Sequence, residues 1–457
     1  MNNEYNSYKL CVLLLLISPI ISAETTGYRG EILFFTGDPA KDKNATVHYK
    51  DGYLIVKDGH IEHVGEYNAI KDIKVDYLVD YHGRIITPGF IDTHVHYPQI
   101  TMIGEYGNQL IGWLNTYIFP NEIKYKDHKY ASQKAGIFLD QLINNGTTTA
   151  LVFSTSSPVS ADAFFEQTFK RNMRMISGKV LMDRNAPAEL LDTPQSAYED
   201  SKALIEKWQH KGRLDYAVTP RFAPTSTEEE LLVAKRLLKE FPEVYLHTHL
   251  AENNQEVKWV KELFPDSRSY LDVYDKNGLV THKSVFAHSI YLDELDYKVL
   301  SEKSANIAFC PTSNLFLGSG LFNLDKAREH NILVGLGTDV GAGTSLSILQ
   351  TMGEGYKVTQ MRKAFTGNPE TVNSLTPMEN LYLATLGGAT VLSLQDKIGS
   401  FMPGQEADFV VLNPMQGEIL KGRNENAKTI EETIFGIEIL GDDRTVEHTY
   451  VMGKKMK

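Results

Sequence analysis

Short apolar runs alternate with amphipathic helical stretches from residue 85 to about residue 398. The runs predict strands over residues 85–96, 147–153, 173–183, 214–222, 244–249, 284–288, 307–310 and 332–339. Such alternation is typical of βα units that build a parallel sheet. Eight units in one run predict a closed (β/α)8 barrel of the TIM type. The alternative is an open doubly wound sheet, but the sequence has no Gly-rich phosphate loop of the Rossmann kind.

The helical stretches between the runs carry their own start signals. Ser196 is followed three residues later by Glu199, and Thr227 by Glu230, which is the spacing of a capping box. Each pair predicts the first turn of a helix that leads into the next strand. A further helix is predicted over residues 131–144, ahead of the second strand.

Both ends of the chain have sequence patterns typical of β-strands. Residues 53–64 predict a hairpin that turns at Asp58-Gly59. Beyond residue 400, apolar runs at 407–412 and 450–452 again predict strands. We therefore expect residues 28–86 and 400–457 to pair into one small β-sandwich domain, which flanks a barrel domain of residues 87–399.

The composition is that of a globular protein. The 457 residues are 42% hydrophobic and 23% charged, and the net charge of −12 gives no reason to expect a nucleic acid or an anionic membrane as partner. No segment after residue 23 is apolar for the roughly 20 residues that a membrane helix needs. With only Cys11 and Cys310, a disulfide framework is not expected.

Residues 1–23 differ from the rest. Lys9 precedes a short apolar run that ends near Ala23, as in a secretory signal, so this segment favours export. A wrongly chosen start codon or a disordered tail are the alternatives.

Polar side chains collect at the ends of the predicted strands, where the chemistry of such barrels lies. They are His94, His96, Lys179, Arg221, His249, His288 and Asp339. His94 and His96 are two residues apart, so both point to one face of a strand. Imidazole and carboxylate donors without a thiolate favour Zn²⁺, with Fe²⁺ as the alternative.

We expect the ligands to be His94, His96, His249 and Asp339. His288 is predicted as a further ligand or as a group that holds water or substrate. His247 shares a face with His249 and is predicted to support the site or to pack. Glu252, three residues after His249, is a candidate proton carrier beside the metal. Its alternative role is that of a solvated loop acid or a helix N-cap.

Several motifs resemble those of a known family, the amidohydrolase superfamily. They are Pro88-Gly-Phe-Ile-Asp-x-His94-x-His96, His249-x-x-Glu252, Gly335-Leu-Gly-Thr-Asp339 and Gly399-x4-Gly404-x2-Ala407-Asp-Phe-Val-Val-Leu412. Within it, the guanine deaminases are the most similar group. That similarity lies in residues 94–99, 113–120, 220–222, 249–253, 310–315 and 337–344. The group is expected to be cytosolic, which conflicts with the signal-like segment.

The resemblance implies one zinc ion per chain, a homodimer, and hydrolysis of guanine to xanthine and ammonia. Catalysis would fall to Glu252, Asp339 and His288. Glu252 would take a proton from the attacking water and pass it to N3, while Asp339 or His288 assists the loss of ammonia from C2.

The implied substrate contacts come from His96, Gln99, Trp113, Arg221, Phe222, His249 and Glu252. Arg221 would donate to O6 through its planar fork, and Gln99 would bond to the purine edge. Phe222 would stack on the ring, and Trp113 with Phe119 would close the site. The alternatives are a salt bridge for Arg221, a surface position for Gln99 and ordinary packing for the aromatic residues.

Three other functions stay open. One is a two-metal hydrolase of cyclic amides, which would need a lysine on the fourth strand, where Arg221 stands instead. Another is a deaminase of a triazine or of a different purine or pyrimidine. The third is a non-catalytic barrel, although every proposed ligand is present. Thiolate-liganded deaminases are excluded because they need Pro-Cys-x-x-Cys, and Cys310 stands alone.

Overall fold

Two sheets organise the chain, and a barrel of parallel strands is the larger one. The structure is a computed structural model, and it describes residues 24–107 and 109–457. The signal-like segment predicted at residues 1–23, with Cys11, lies outside the described residues.

The strands are β1 (Thr25–Phe35), β2 (Thr46–Lys57), β3 (His60–Glu66), β4 (Tyr77–Pro88), β5 (Phe90–His96), β6 (Thr147–Phe153), β7 (Arg174–Gly178), β8 (Val180–Leu181), β9 (Leu214–Pro220), β10 (Tyr245–Leu250), β11 (Ser284–His288), β12 (Asn306–Phe309), β13 (Val334–Leu336), β14 (Phe409–Leu412), β15 (Val446–Val451) and β16 (Lys454–Lys455).

The α-helices are α1 (Tyr67–Ile70), α2 (Leu110–Trp113), α3 (Phe119–Glu122), α4 (His128–Asn144), α5 (Pro158–Arg171), α6 (Pro194–Trp208), α7 (Glu228–Glu240), α8 (Asn254–Leu263), α9 (Tyr270–Lys276), α10 (Glu294–Glu302), α11 (Pro311–Phe316), α12 (Leu324–Glu329), α13 (Ile348–Phe365), α14 (Pro377–Ala384), α15 (Leu386–Val391), α16 (Glu418–Asn424) and α17 (Ile430–Leu440). A π-helical turn, Leu114–Ile118, joins α2 to α3. Among the described residues, no helix is both long enough and apolar enough to cross a membrane.

The barrel runs in the order β5-β6-β7-β9-β10-β11-β12-β13, with β8 as an extra partner of β9. Its first and last strands meet through two hydrogen bonds: the Asp339 amide donates to the His94 carbonyl at 2.8 Å, and the His96 amide donates to the Val340 carbonyl at 2.9 Å. The predicted fold class, a TIM-like barrel with a sheet built from both chain ends, is confirmed.

The predicted first barrel strand, residues 85–96, was wrong in its extent. Ile85 to Pro88 belong to β4, where they pair antiparallel with β14 in the other sheet. Only Phe90–His96 enters the barrel. Both segments are buried, so the apolar pattern continues from one to the other, and the prediction overlooked the Pro88-Gly89 pair that marks the break. The third predicted strand also divides, into β7 and β8.

The second sheet has the order β16-β15-β14-β4-β1-β2-β3 and so combines strands from the two chain ends. The predicted hairpin is confirmed as β2 and β3, which pair antiparallel. Its turn places Asp58 at φ 50° and Gly59 at φ 77°, the left-handed values that a type I′ turn requires.

A buried charge cluster joins this sheet to the barrel. Glu406 accepts from Nε of Arg174 at 2.9 Å and from Nη2 of Arg213 at 2.6 Å. Arg213 also pairs with Asp408. Because Arg174 is on β7 and Glu406 precedes β14, the cluster fixes the second sheet to the barrel.

Helix starts were predicted unevenly. Helix α6 begins after the N-cap Thr193, with Ser196 at the third position, so the start predicted at Ser196 was three residues late. The prediction at Thr227 is confirmed, since its hydroxyl accepts from the Glu230 amide at 3.3 Å. The pattern missed Thr193 because the third helical position holds Ser196 instead of the Glu or Gln of the usual capping box.

Candidate active site

His94 and His96 are the centre of the site. Both lie at the carboxyl end of β5, and their side chains are 0% and 3% exposed. The strand places them on one face, so their Nε2 atoms approach to 3.3 Å. Two buried imidazoles this close to each other indicate that both bind the same atom or ion.

His249, at the end of β10, joins them from across the barrel. Its Nδ1 donates to the carbonyl of Arg221 at 2.7 Å, because a carbonyl can only accept. The ring nitrogen left with a lone pair is therefore Nε2, which lies 3.3 Å from Nε2 of His96. A hydrogen bond that fixes the tautomer in this way is common in metal-binding histidines.

Asp339 follows β13 and closes the ring of donors. Its Oδ1 is 3.1 Å from Nε2 of His94 and 3.2 Å from Nε2 of His96. The residue has φ 49°, which an aspartate tolerates better than most side chains. This backbone conformation, next to the hydrogen bond from its amide to His94, turns the carboxylate towards the histidines.

His288, at the end of β11, faces the same centre. Its Nδ1 donates to the side-chain oxygen of Asn314 at 2.8 Å, so Nε2 carries the lone pair. Nε2 is buried and makes no hydrogen bond within the described residues, although it lies 3.7 Å from Oδ2 of Asp339. A buried nitrogen that lacks a hydrogen-bond partner and faces other donor atoms indicates that a metal ion, a water molecule or a substrate binds there.

The donor set fits a divalent metal ion. Nitrogen ligands roughly 2.0–2.1 Å from a tetrahedral zinc ion lie about 3.3 Å from one another. The distances from His96 to His94, His249 and Asp339, and from His94 to Asp339, are 3.1–3.3 Å and match that value. A group made of His94, His249, His288 and Asp339 also keeps all its donor atoms within 4.8 Å. Burial lowers the pKa of His96 to about 3 and that of His249 well below its usual value, which keeps both rings neutral.

His247 supports this cluster from deeper in the barrel. Its Nε2 lies 2.7 Å from Nδ1 of His94, and its side chain is fully buried. It therefore sets the orientation of the His94 ring, which agrees with the supporting role predicted for it.

Glu252 lies beside the donors and is 2% exposed, so it is neither a solvated acid nor an N-cap. The N-cap of α8 is Asn253. Ser319 donates to Oε1 of Glu252 at 2.9 Å, and Oε2 is 3.5 Å from Nε2 of His288. Burial, followed by the charge of Asp339, raises the pKa of Glu252 to about 8.

Arg221 forms a buried ion pair, the alternative that the sequence left open for it, with a partner, Glu122, that was not predicted. Nη1 of Arg221 lies 3.0 Å and 2.9 Å from the two carboxylate oxygens of Glu122, which is fully buried. Gln99 donates to Glu122 at 3.3 Å and accepts from the Gly341 amide at 3.1 Å. The guanidinium carbon of Arg221 also lies 5.2 Å from the centre of the Phe119 ring.

A cavity lies between the donor cluster and this ion pair. Its polar lining comes from His96, Gln99, Arg221, His249, Glu252 and Asp339, and its apolar lining from Leu110, Trp113, Leu114, Phe222, Leu317 and Ala342. Such a cavity suits a flat molecule with an apolar face and polar edges.

Comparison with known proteins agrees with this geometry. Residues 85–456 match the amidohydrolase family. The chain belongs to the amidohydrolase family. It is 50% identical over 419 residues to a protein named guanine deaminase from Escherichia coli, which covers 91% of this chain and 93% of that protein.

Solved structures give the same result. The guanine deaminase of E. coli superposes with a TM-score of 0.89 at 48% identity, over 95% of this chain and 99% of that one. The guanine deaminase of C. acetobutylicum, solved with guanine in its active site, gives a TM-score of 0.86 at 29% identity, over 95% of this chain and all (100%) of that one.

In this amidohydrolase the structure brings together the site residues predicted from the sequence. The four predicted ligands lie together as the donor cluster. Gln99, Trp113, Arg221 and Phe222 line the cavity. Trp113 also packs, since its indole donates to the Glu105 carbonyl at 3.2 Å. Lys179 is not part of the site, because it pairs with Asp192 at 2.6 Å.

Proposed function

We propose that this amidohydrolase is a zinc-dependent guanine deaminase that hydrolyses guanine to xanthine and ammonia. The observation that carries the proposal is one cavity bordered by a histidine–aspartate donor cluster, a buried carboxyl group and a buried arginine. The relatives named guanine deaminase support the choice of substrate.

His94, His96, His249 and Asp339 would hold one zinc ion per chain, since their donor atoms have tetrahedral spacing. The same donors also suit Fe²⁺. His288 lies beside these donors, and its Nε2, which makes no hydrogen bond among the described residues, would hold water or substrate. When bound, the ion supplies Lewis acidity, which lowers the pKa of a bound water to about 7.

Glu252 is the proton carrier in this proposal. Its pKa of about 8 lies near neutrality, so the carboxyl group can accept a proton from the attacking water and later donate it to N3 of guanine. Ser319 holds Oε1, which leaves Oε2 to face the reacting atoms. Asp339 or His288, whose facing atoms are 3.7 Å apart, would then move the proton of the new C2 hydroxyl to the amino group, so that the C–N bond breaks, ammonia leaves and the C2 carbonyl forms.

Arg221 and Gln99 would recognise the purine edge. The described residues occupy only Nη1 of Arg221, so Nε and Nη2 are available to donate to O6. The bond from the Gly341 amide fixes which end of the Gln99 amide is oxygen. Phe222 and Trp113 would contact the faces of the ring, and His96, His249 and Glu252 would border C2 and N3.

The test is incubation of purified, zinc-loaded protein with guanine, with xanthine and ammonia as the measured products. Adenine, cytosine and an aminotriazine serve as parallel substrates. Release of ammonia from one of these but not from guanine would replace the proposal by another deaminase. Close to two metal ions per chain would favour the two-metal hydrolase.

Two further proposals accompany the function. We propose that residues 28–86 with 400–457 form a domain separate from the barrel of residues 87–399, which limited proteolysis tests. We also propose a homodimer, which light scattering coupled to size-exclusion chromatography tests.

A further inference from the structure

The Arg221–Glu122 ion pair is deeply buried at the end of the cavity that Arg221 and Gln99 line. The Arg221 side chain is 3% exposed and the Glu122 side chain is 0% exposed. Among the described residues, the Glu122 carboxylate is hydrogen-bonded by the side chains of Arg221 and Gln99. Its charge therefore acts on the part of the cavity that receives the purine edge.

An arginine in a site for a neutral base poses an electrostatic problem. A buried cation without a counter-charge attracts anions more strongly than neutral molecules, since Coulomb energies grow as the surroundings exclude water. Guanine is neutral near pH 7. A site built only for donation to O6 would therefore favour any anionic purine that fits it.

We propose that Glu122 determines specificity: its carboxylate cancels the charge of Arg221, so that this end of the cavity accepts a neutral purine and rejects an anionic one. The inference rests on the proposed function for the identity of the base. It does not rest on it for the pairing of Arg221 with Glu122, which follows from the contacts.

The geometry supports cancellation over simple anchoring. Glu122 contacts only Nη1, at 3.0 Å and 2.9 Å, and leaves Nε and Nη2 of Arg221 without a hydrogen bond to the described residues. The carboxylate thus compensates the charge without occupying all the donors. Glu122 also accepts a hydrogen bond from the Gln99 side-chain amide. The same carboxylate therefore contacts both groups that are proposed to bind the purine edge.

The experiment compares two purine ligands by calorimetry on the metal-loaded protein. Hypoxanthine is a neutral probe that retains O6 and N7, and urate is an anionic probe. We expect the wild type to bind hypoxanthine at least about tenfold more tightly than urate, because a site can discriminate through an unfavourable charge contact. Glu122→Gln should reduce that ratio about tenfold or invert it, and should raise the KM for guanine more than it lowers kcat.

Two variants serve as controls. Glu122→Asp retains the charge and should keep the wild-type preference for hypoxanthine. Asp192→Asn removes the counter-charge from Lys179, a buried cation that does not line the cavity, and should leave the ratio unchanged.

Two results would overturn the inference. One is a folded Glu122→Gln protein with the wild-type ratio of hypoxanthine to urate affinity, and the other is a wild type that binds urate as tightly as hypoxanthine. If Glu122→Gln does not fold, the wild-type ratio decides alone: about tenfold or more supports the inference and a smaller ratio overturns it. A wild type that discriminates between the probes but releases no ammonia from guanine would reject the proposed function and keep the charge balance.

Discussion

The hydroxyl of Ser319 donates to one carboxylate oxygen of Glu252 at 2.9 Å, and this bond sets the direction of the other oxygen. Ser319 itself is held, because its carbonyl accepts from the Tyr291 hydroxyl at 2.5 Å and its amide donates to the Asn314 carbonyl at 2.8 Å. Asn314 also bonds His288. Helix α11 and the residues just after it therefore position two of the groups that face the reacting atoms.

Ser319→Ala should lower kcat about tenfold, in line with the loss of a hydrogen bond to a charged group. Metal content and the KM for guanine should change little, since Ser319 contacts neither the donors nor the purine edge. Ser319→Thr keeps the hydroxyl and should restore most of the rate. Steady-state kinetics of the three proteins provide the test, and equal rates for alanine and serine would remove the positioning role.

Glu252→Gln should retain the metal and lose turnover. The amide keeps the shape of the side chain but cannot carry a proton, so the rate of ammonia release should fall roughly 10²–10⁴-fold. Metal analysis and an ammonia assay on the same sample measure the retained metal and the lost turnover. Near-normal release of ammonia would end the role assigned to Glu252.

Arg221→Ala should impair guanine recognition while the metal stays bound. The variant also leaves Glu122 buried without a partner, which costs about 3–5 kcal/mol of stability in comparable pairs. The double variant Arg221→Met with Glu122→Gln should regain part of that stability, because no uncompensated charge remains. Urea denaturation and guanine kinetics measure the two effects, and loss of metal from Arg221→Ala would show that the residue does not face the substrate.

His247→Ala should weaken metal binding, since it removes the partner of Nδ1 of His94 at 2.7 Å. Loss of such a supporting bond typically lowers metal affinity about 10–100-fold. His247→Gln can still bond to His94 and should retain more of the affinity. Dialysis against graded chelator concentrations, followed by metal analysis, ranks the three proteins.

Glu230 should make stability depend on pH. Burial, followed by the charge of Asp183, raises its pKa from 4.5 to about 8, so the folded protein keeps a proton that the unfolded chain loses. The stability from this group is complete below pH 4.5 and is lost as the pH rises through 8, with a slope of up to about 1.4 kcal/mol per pH unit.

Glu230→Gln isolates that contribution, because the amide does not titrate. Compared with the wild type, the variant should gain relative stability between pH 5 and pH 8.5 in urea denaturation. A constant difference across that range would show that Glu230 is ionised in the folded protein.

The barrel and the donor residues could both be predicted from the sequence, because both follow from the local pattern of apolar and polar residues. A strand end is visible in the chain, and parallel strands must bring their carboxyl ends to one rim. Thus His94, His249 and Asp339 were predictable although 245 positions separate the first from the last.

Glu122 and Ser319 were not predictable in the same way. Glu122 lies on a short helix 99 positions before Arg221, and Ser319 lies 67 positions after Glu252. Both reach the site through connections whose course depends on tertiary packing rather than on periodicity. A buried acid beside an apolar aromatic segment, Phe119–Glu122, was the available signal, because such an acid needs a partner.

The route of the chain from β4 into β5 makes the far C-terminus part of the chemistry. β4 is held between β1 and β14, and after Pro88 and Gly89 it becomes the strand that carries His94 and His96. A premature stop before residue 409 would leave every donor residue in the product yet strip one neighbour from β4. We expect such a shortened polypeptide to bind the proposed metal ion more weakly, although it keeps every proposed ligand.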